Sequence, residues 1–317
     1  MNKLTLTSKN FLIPRIILLI VLILLITLPF FASIYTAILL STIFMYIVLT
    51  SSWAMFSGPT GQISLATAAF FGVGIYTAAI LGNKMPLFVM VLISGLASAV
   101  MALMVGSLTL RLKGVYFTIF TFGLLELIKY LLLWYEVTFT GTRGRFVVVV
   151  DRNTIYFYML AIMVMTLLTA YLIRRSKYGL ALQSIGEQEE AAEHIGINVT
   201  LVKVTTFAIS AFFMGAAGAV IATRWTYVDP YIAFNMNYSF TPVLMAIFGG
   251  IGQLGGSVLG AILFAYLEQI LLTKFPYYYM LLFGTVMVVS VVYLPNGLTG
   301  LIQKWRSRAT GGRHAHS

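Results

Sequence analysis

Apolar stretches follow one another along most of the chain, separated by short polar or glycine-rich breaks. A helix needs about 20 apolar residues to cross a bilayer, and most of these stretches approach that length. The pattern predicts an all-α fold, a polytopic integral membrane protein with about ten (8–10) transmembrane helices. The predicted segments are 15–31, 33–56, 63–81, 86–110, 115–135, 155–173, 204–223, 240–250, 257–273 and 277–294. Residues 1–317 would form a single membrane-spanning domain, embedded from about 15 to 294.

Two glycine-rich breaks share the pattern G-x-x-G-Q, at residues 58–62 and 249–253. The segment before the second break, 240–250, is too short for a full span, so we expect some helices to be interrupted. Pairs of interrupted helices are typical of structural repeats in transporters. Alternating spans put both breaks on one side, whereas inverted repeats would oppose them, so either the repeat or the count is wrong. Chance recurrence competes, because the chain has 27 glycines.

The longest polar run, 178–198, reads YGLALQSIGEQEEAAEHIGIN and holds four of the nine acidic residues. Connections between helices are usually about 4–6 residues long, so this run is too long to be only a connection. Its alanines and its apolar residues fit short helices, punctuated by Gly186 and Gly196. We interpret residues 174–203 as a docking loop.

Composition agrees with a membrane protein: 60% of residues are hydrophobic and 9% are charged, against about 25% charged in soluble domains. The net charge of +11 therefore reflects loops and does not indicate nucleic-acid binding. If the spans alternate in direction, both termini and the docking loop lie on the same side of the membrane, and most basic residues lie on that side too. Basic residues are enriched in cytoplasmic loops, so this side, including a basic tail at 303–317, is predicted to be cytoplasmic. These residues are Lys3, Lys9, Arg15, Arg111, Lys113, Arg174, Arg175, Lys177, Lys203, Lys304, Arg306, Arg308 and Arg313. The opposite side receives Lys84, Arg143, Arg145, Arg152, Arg224 and Lys274.

Catalytic chemistry has few candidate residues. Cysteine is absent and there are three histidines, so we expect no disulfide, no metal site and no cofactor. Charges within the spans are equally scarce. Glu126 and Lys129 lie three apart and can neutralise each other on one helix face, whereas Glu268 has no partner nearby in sequence. An ion-driven transporter would need more buried carboxylates, and a voltage-gated channel would need a repeated arginine helix.

The docking loop carries a family resemblance. Glu190-Ala191-Ala192 followed by Gly196 resembles the E-A-A-x-x-x-G core in the cytoplasmic loop of ABC-importer permeases. The wider chain is similar to permeases of branched-chain amino-acid importers of the LivM type, over residues 33–302. Supporting stretches are 61–65, 68–72, 178–182, 195–198, 210–222, 248–252 with Gly260 and Glu268, and 294–298. The chain departs from the family at 142–145, Thr-Arg-Gly-Arg followed by a β-prone run, in an external loop that could contact a binding protein.

The resemblance implies a transport subunit, not an enzyme, in a bacterial or archaeal cell membrane. No phosphate-binding G-x-x-x-x-G-K-[ST] pattern occurs, so energy would come from two separate ATP-binding subunits. Other implied partners are a second, homologous permease in a heterodimer, an extracytoplasmic solute-binding protein and membrane lipid, with no nucleic acid. The residues expected to dock the ATPase are Glu187, Glu190, Ala191, Ala192 and Gly196.

The implied solute is a branched-chain or related small zwitterionic amino acid. Urea or another small amide is the alternative within the family; a stand-alone uniporter or channel is the alternative outside it. A membrane enzyme is disfavoured because His, Asp and Cys do not cluster. In hydrocarbon, a broken helix survives only beside protein or a water-filled cavity. We therefore expect the two breaks to line the translocation path with Gly61, Gln62, Ser64, Gly252 and Gln253.

Overall fold

The computed structural model describes residues 19–82, 84–112, 114–293 and 297–300. Within them the chain is almost entirely helical. The helices are α1 (Leu19–Phe31), α2 (Ile34–Thr60), α3 (Thr67–Leu81), α4 (Leu87–Thr109), α5 (Val115–Tyr135), α6 (Arg152–Arg175), α7 (Lys177–Glu187), α8 (Glu189–His194), α9 (Val199–Ala222), α10 (Pro230–Ala233), α11 (Asn237–Gly249), α12 (Leu254–Lys274) and α13 (Tyr279–Tyr293). A π-helical turn, Glu136–Thr140, continues α5. Two short strands, β1 (Arg145–Phe146) and β2 (Tyr227–Val228), pair antiparallel.

Six of the described helices are long and apolar enough to cross a membrane: α2, α4, α5 with its π-helical end, α6, α9 and α12. The protein is therefore an all-α, multi-pass membrane protein, as predicted. The other four predicted segments coincide with shorter helices, α1, α3, α11 and α13. Length and composition thus identify fewer spans than the ten apolar segments of the sequence. Several predicted features lie outside the described residues: the start of the first segment, Lys3, Lys9, Arg15, Lys113, residues 294–296 and the basic tail at 303–317.

Helix α9 lies at the centre, packed against α2, α3 and α4. Close approach depends on glycines: a Cβ on Gly218 would lie 2.2 Å from the Phe71 carbonyl oxygen, and one on Gly74 would lie 2.0 Å from that of Gly215. In a membrane the lipid tails are as apolar as the side chains, so burying apolar side chains gives no hydrophobic stabilisation. Close packing between helix backbones holds the helices together instead.

Contacts between helix ends define two ends of the bundle. We call the end that carries α7 and α8 the docking end; it also holds the last turns of α2 and α6 and the turn between α11 and α12. We call the opposite end the hairpin end, because β1 and β2 pair there. At the hairpin end the Val150 N–H donates to the Thr223 carbonyl (3.2 Å), and Gly82, just after α3, lies beside Val148.

The first interruption predicted from the sequence is present, slightly later than expected. Helix α2 continues through Pro59 to Thr60 and ends at Gly61, whose φ of 68° suits glycine. Residues 61–66 are non-helical and lead back into the bundle before α3 begins. Side chains satisfy their backbone: Trp53 Nε1 donates to the Ser64 carbonyl (2.7 Å) and Thr118 Oγ1 to the Ile63 carbonyl (2.8 Å). Unpaired backbone groups would be too costly at this depth.

The second motif also interrupts the helices: α11 ends at Gly249, residues 250–253 form a turn, and α12 begins at Leu254. This interruption lies at the docking end and not inside the bundle. The break inside the bundle is at 223–236, where β2 and the one-turn α10 lead inward to α11. The predicted apolar segments end at 223 and resume at 240, so the sequence pattern left this stretch as a connection and did not show that it leads into the bundle.

The N-terminal ends of α3 and α11 meet inside the bundle. The Ser239 hydroxyl donates to the Leu65 carbonyl (2.6 Å) and accepts from the Ala68 N–H (3.1 Å). From this point α3 runs to the hairpin end and α11 to the docking end. The inverted pair of interrupted helices therefore exists, while both G-x-x-G-Q motifs lie together at the docking end. The apparent conflict between repeat and topology disappears because the motif does not mark equivalent positions.

Candidate functional site

Helices α7 and α8 rest on the start of α9 through a small apolar core of their own. Leu182 and Ile185 of α7 and Ala192 of α8 are buried against Val199 and Val202. Gln188 has extended backbone and separates the two helices. The docking loop is therefore a pair of helices in a fixed position on the bundle.

A buried ion pair fixes α8 to α9. Lys203 Nζ lies 2.8 Å from Glu189 Oε2, and the Lys203 side chain is only 2% exposed. Lysine is almost never buried without a partner, so Glu189 is what permits Lys203 to lie there. The sequence reasoning missed this pair; an acidic residue in a polar helix followed by a lysine in the first turns of an apolar one was the available signal.

The outer surface of α7 and α8, which we call the docking face, combines apolar and acidic residues. Four of the five predicted docking residues are exposed there, and three large apolar side chains, Tyr178, Leu180 and Ile195, are exposed beside them. The exposed four are Glu187, Glu190, Ala191 and Gly196. Ala192 instead faces inward and is 1% exposed.

The end of α8 has a glycine-dependent turn. Gly196 has φ of 87°, its N–H donates to the Glu193 carbonyl (2.9 Å), and the Ile197 N–H returns to the Ala192 carbonyl (3.1 Å). This pattern ends a helix in the left-handed conformation that glycine adopts without strain. The turn presents Ile195 on the docking face and directs the chain into α9.

A cleft of about 330 Å³ lies directly under the docking face. Its walls are the ends of α2 and α6, helix α7 and the turn between α11 and α12. The two G-x-x-G-Q motifs meet here: a Cβ on Gly58 would lie 3.1 Å from the Ile251 carbonyl oxygen. The Arg174 guanidinium donates to the Gly252 carbonyl and so joins α6 to the same turn.

The predicted path residues divide into two groups. Gly61, Gly252 and Gln253 line the cleft together with Glu187 of the docking face. Gln62 and Ser64 are buried deeper, in the non-helical stretch before α3, and Gln62 Nε2 donates to the Leu112 carbonyl (3.4 Å). The structure thus brings the first group next to the docking residues.

Charged groups elsewhere in the bundle have partners on neighbouring turns or elements. Lys129 Nζ lies 2.6 Å from Glu126 Oε2, which confirms the predicted neutralisation. Glu136, which follows the predicted segment 115–135, is buried at the hairpin end, where it accepts from the Gly144 N–H (2.8 Å) and lies 3.4 Å from Arg145 Nε. Among the described residues, no three potential metal-ligating side chains cluster.

One further group of polar residues lies on α2, nearer the hairpin end. Tyr46 donates to Glu268 Oε1 (3.4 Å), and Arg224 Nη1 donates to Thr42 Oγ1 (3.1 Å). The sequence singled out Glu268 for lacking a local partner, and the structure supplies a tyrosine from a distant helix.

Tightly packed apolar helices, two of them interrupted where they meet, and a polar helical face fixed to one end of the bundle define a membrane transport permease. Comparison with known families agrees over most of the chain. Residues 34–291 match the family described as the permease component of branched-chain amino acid transport systems, and the chain belongs to that family.

Individual relatives are consistent with this membership. The chain is 28% identical to the high-affinity branched-chain amino acid transport system permease protein LivM of Escherichia coli strain K12, over 90% of this chain and 76% of the relative. It is 28% identical to LivM of Salmonella typhimurium, over 85% and 71%. The LivH permease of Escherichia coli strain K12 is 31% identical over 31% of each chain. No solved structure matches.

Proposed function

We propose that this protein is the translocating subunit of an ABC importer for branched-chain or related small zwitterionic amino acids. The observation that carries the proposal is the docking face, fixed by Lys203 and Glu189 and lying directly over a cleft formed by three membrane helices. Family membership supports the solute class, because the LivM relatives are named for branched-chain amino acid transport.

The crossing arrangement follows from the two interrupted segments. Helix α3 alone measures about 22 Å, but the six residues before it add about 20 Å of extended chain. In the same way the stretch 223–236 lengthens α11. Counting each combination as one crossing gives ten passes, with residues 1–317 as a single domain. Both termini and the 174–203 loop are then cytoplasmic, and the basic residues of the docking end support this orientation.

The proposed partners match the two ends. Two ATP-binding subunits would supply energy, one of them contacting Glu187, Glu190, Ala191 and Gly196, while Ala192 keeps α8 in position. Similarity to both LivM and LivH supports a second, homologous permease in a heterodimer. A soluble binding protein would deliver the solute at the hairpin end.

The proposed path passes the two G-x-x-G-Q motifs. Gly61, Gly252 and Gln253 would line its cytoplasmic section, since they already line the cleft, and Gln62 and Ser64 would continue it inward. Closure of the ATPases would move α7, and α7 contacts the end of α2 and the turn before α12. Movement of α7 at the docking face would therefore act directly on the elements that line the proposed path.

Reconstitution tests the proposal. The chain is co-expressed with candidate ATP-binding subunits, a second permease and a solute-binding protein from the same organism, and the complex is placed in liposomes. We expect uptake of radiolabelled leucine that requires both ATP and the binding protein. Leucine uptake by this chain without ATPase subunits would instead identify a uniporter. Uptake of urea but not leucine would identify an amide transporter of the same family.

A further inference from the structure

Helix α2 holds two groups of opposite charge on one face. Thr42 accepts from the Arg224 guanidinium, and Tyr46 donates to the Glu268 carboxylate. Thr42 and Tyr46 are four residues apart, so their side chains are neighbours on the helix surface, about 5–6 Å between Cβ atoms. The chain after α9 and helix α12 therefore bring a cation and an anion to adjacent turns of a third element.

These two charges do not pair with each other or with any other charged residue that the structure describes. Three other acidic residues do have cationic partners: Glu126 with Lys129, Glu136 with Arg145, and Glu189 with Lys203. Glu268 has only the tyrosine, and its Oε2 is buried with no hydrogen-bond partner among the described atoms. An ionisable residue at membrane depth is expensive to leave unpaired, and for that reason usually serves function.

The two groups lie beside the second interrupted segment. Tyr238 stands at the start of α11, which follows the interrupted segment that begins near Arg224. Its ring packs 4.7 Å from that of Phe71 in α3, so it belongs to the place where the two interrupted helices meet. Transporters commonly bind their solutes at such breaks in the middle of the membrane. Arg224 is exposed, and Tyr238 and Glu268 are partly exposed.

We propose that Glu268 and Arg224, held on neighbouring turns of α2 by Tyr46 and Thr42, form a recognition site for the two charges of a zwitterionic α-amino acid. The carboxylate of Glu268 takes the ammonium group, and the guanidinium of Arg224 takes the carboxylate. The site rests on the proposed function and adds to it. It excludes urea and simple amides, which carry neither charge.

The decisive variant is Glu268→Gln, because glutamine keeps the shape and still accepts from Tyr46 while removing the charge. In the reconstituted complex we expect leucine uptake per assembled complex to fall roughly 10- to 100-fold, the range for losing one hydrogen bond to a charged group. Arg224→Gln should show a similar fall. Tyr46→Phe removes the hydrogen bond that positions Glu268 but keeps the carboxylate charge, so we expect a smaller fall in uptake, roughly 3- to 10-fold.

A binding measurement separates recognition from a structural role. Leucine at millimolar concentration should raise the Tm of the purified wild-type complex without binding protein, since a ligand stabilises the state that it binds. Isoamylamine, which lacks the carboxylate, and 4-methylpentanoate, which lacks the ammonium, should each raise it less. Glu268→Gln should abolish the leucine shift and leave the ligand-free Tm unchanged or higher, because an unpaired buried charge has been removed.

The outcomes are distinct. If the wild-type complex carries leucine and Glu268→Gln carries it equally well, the recognition site is refuted and the proposed function stands. A lower ligand-free Tm for Glu268→Gln with normal uptake per assembled complex would refute the site in favour of a purely structural hydrogen bond. If the wild-type complex carries no amino acid, the proposed function fails, and the site fails with it.

Discussion

The backbone of Gly186 lies directly against the carbonyl oxygen of Pro59: a Cβ on this glycine would stand 1.9 Å from that oxygen. Helix α7 therefore touches the end of α2 with no side chain between them. If an ATPase displaces α7, α2 must move as well, because no flexible side chain lies between the two backbones to absorb the displacement.

Gly186→Ala tests this contact. The added methyl group must push α7 away from α2, and overpacking of this kind costs about 1–3 kcal/mol. We expect ATP-driven uptake to fall sharply while the α7–α8 core, which does not involve Gly186, remains folded. Uptake and ATP hydrolysis are measured on the same proteoliposomes. Gly123→Ala is the matched control, because a Cβ there meets nothing within 4 Å; equal uptake by both variants would contradict direct coupling.

Gly196→Pro should disconnect the docking face from transport. Proline fixes φ near −65° and has no N–H, whereas Gly196 has φ of 87° and donates to the Glu193 carbonyl. The turn that positions Ile195 would be lost, while the membrane helices are untouched. Co-purification of the ATPase and uptake are the two readouts. Glu190→Lys, which reverses a charge on the exposed face, should weaken ATPase binding without disturbing the turn. Normal uptake by both variants would contradict the hypothesis that this face binds the ATPase.

The Lys203–Glu189 pair predicts a non-additive double mutant. Glu189→Gln leaves the lysine buried without its partner, which costs about 3–5 kcal/mol. Replacing both residues, with Lys203→Met and Glu189→Gln, removes the buried charge and should recover most of that loss. Thermal unfolding of the two single variants and the double variant measures the coupling. If the single losses simply add in the double variant, the pair does not hold α8 on the bundle.

Gly252→Leu distinguishes obstruction from packing at the cleft. A Cβ on Gly252 meets nothing within 4 Å and its φ is not in the left-handed region, so the leucine should be tolerated by the fold and project into free space. We expect normal assembly and ATP hydrolysis with blocked uptake. Gly61→Leu is less informative, since φ of 68° strains any side chain there. Loss of assembled complex with Gly252→Leu would mean that the residue serves packing instead of the path.

Orientation can be tested in the cysteine-free chain by single substitutions. Gln188 is exposed at the docking end and Asn153 is exposed at the hairpin end. A membrane-impermeant maleimide should label Gln188→Cys only from the cytoplasm and Asn153→Cys only from outside. Arg308→Cys, in the basic tail outside the described residues, should be labelled like Gln188→Cys. External labelling of position 188 would reverse the proposed orientation.

The apolar pattern was sufficient to predict where helices form, because each run is governed by its own composition. It also predicted the docking helices, since glutamates and alanines exclude residues 187–193 from hydrocarbon. The Glu126–Lys129 pair was also predictable, because the two residues lie three apart on one helix and their side chains are therefore neighbours.

Contacts between distant elements were not predictable. Nothing local indicates that Gly186 meets Pro59 or that Tyr46 meets Glu268, which is 222 residues away in sequence. The interruption at 223–236 was missed because the sequence pattern left these residues as a connection between two apolar segments and did not show that they fold back into the bundle. Pro230, Asn235 and Asn237 were the local signals of non-helical backbone there. The burial of Glu136 was not predictable, because the sequence does not reveal that Gly144 and Arg145 fold back over it.

Ser239 gives the two interrupted helices a common pivot. Its hydroxyl bonds both Leu65 and Ala68, so pulling α3 and α11 apart would strand a backbone carbonyl and a backbone amide inside the membrane, each costing several kcal/mol. The two helices point in opposite directions from this serine, α3 to the hairpin end and α11 to the docking end. A displacement of one interrupted helix is therefore transmitted through Ser239 to the backbone at the start of the other, so the two ends of the bundle are linked at this residue.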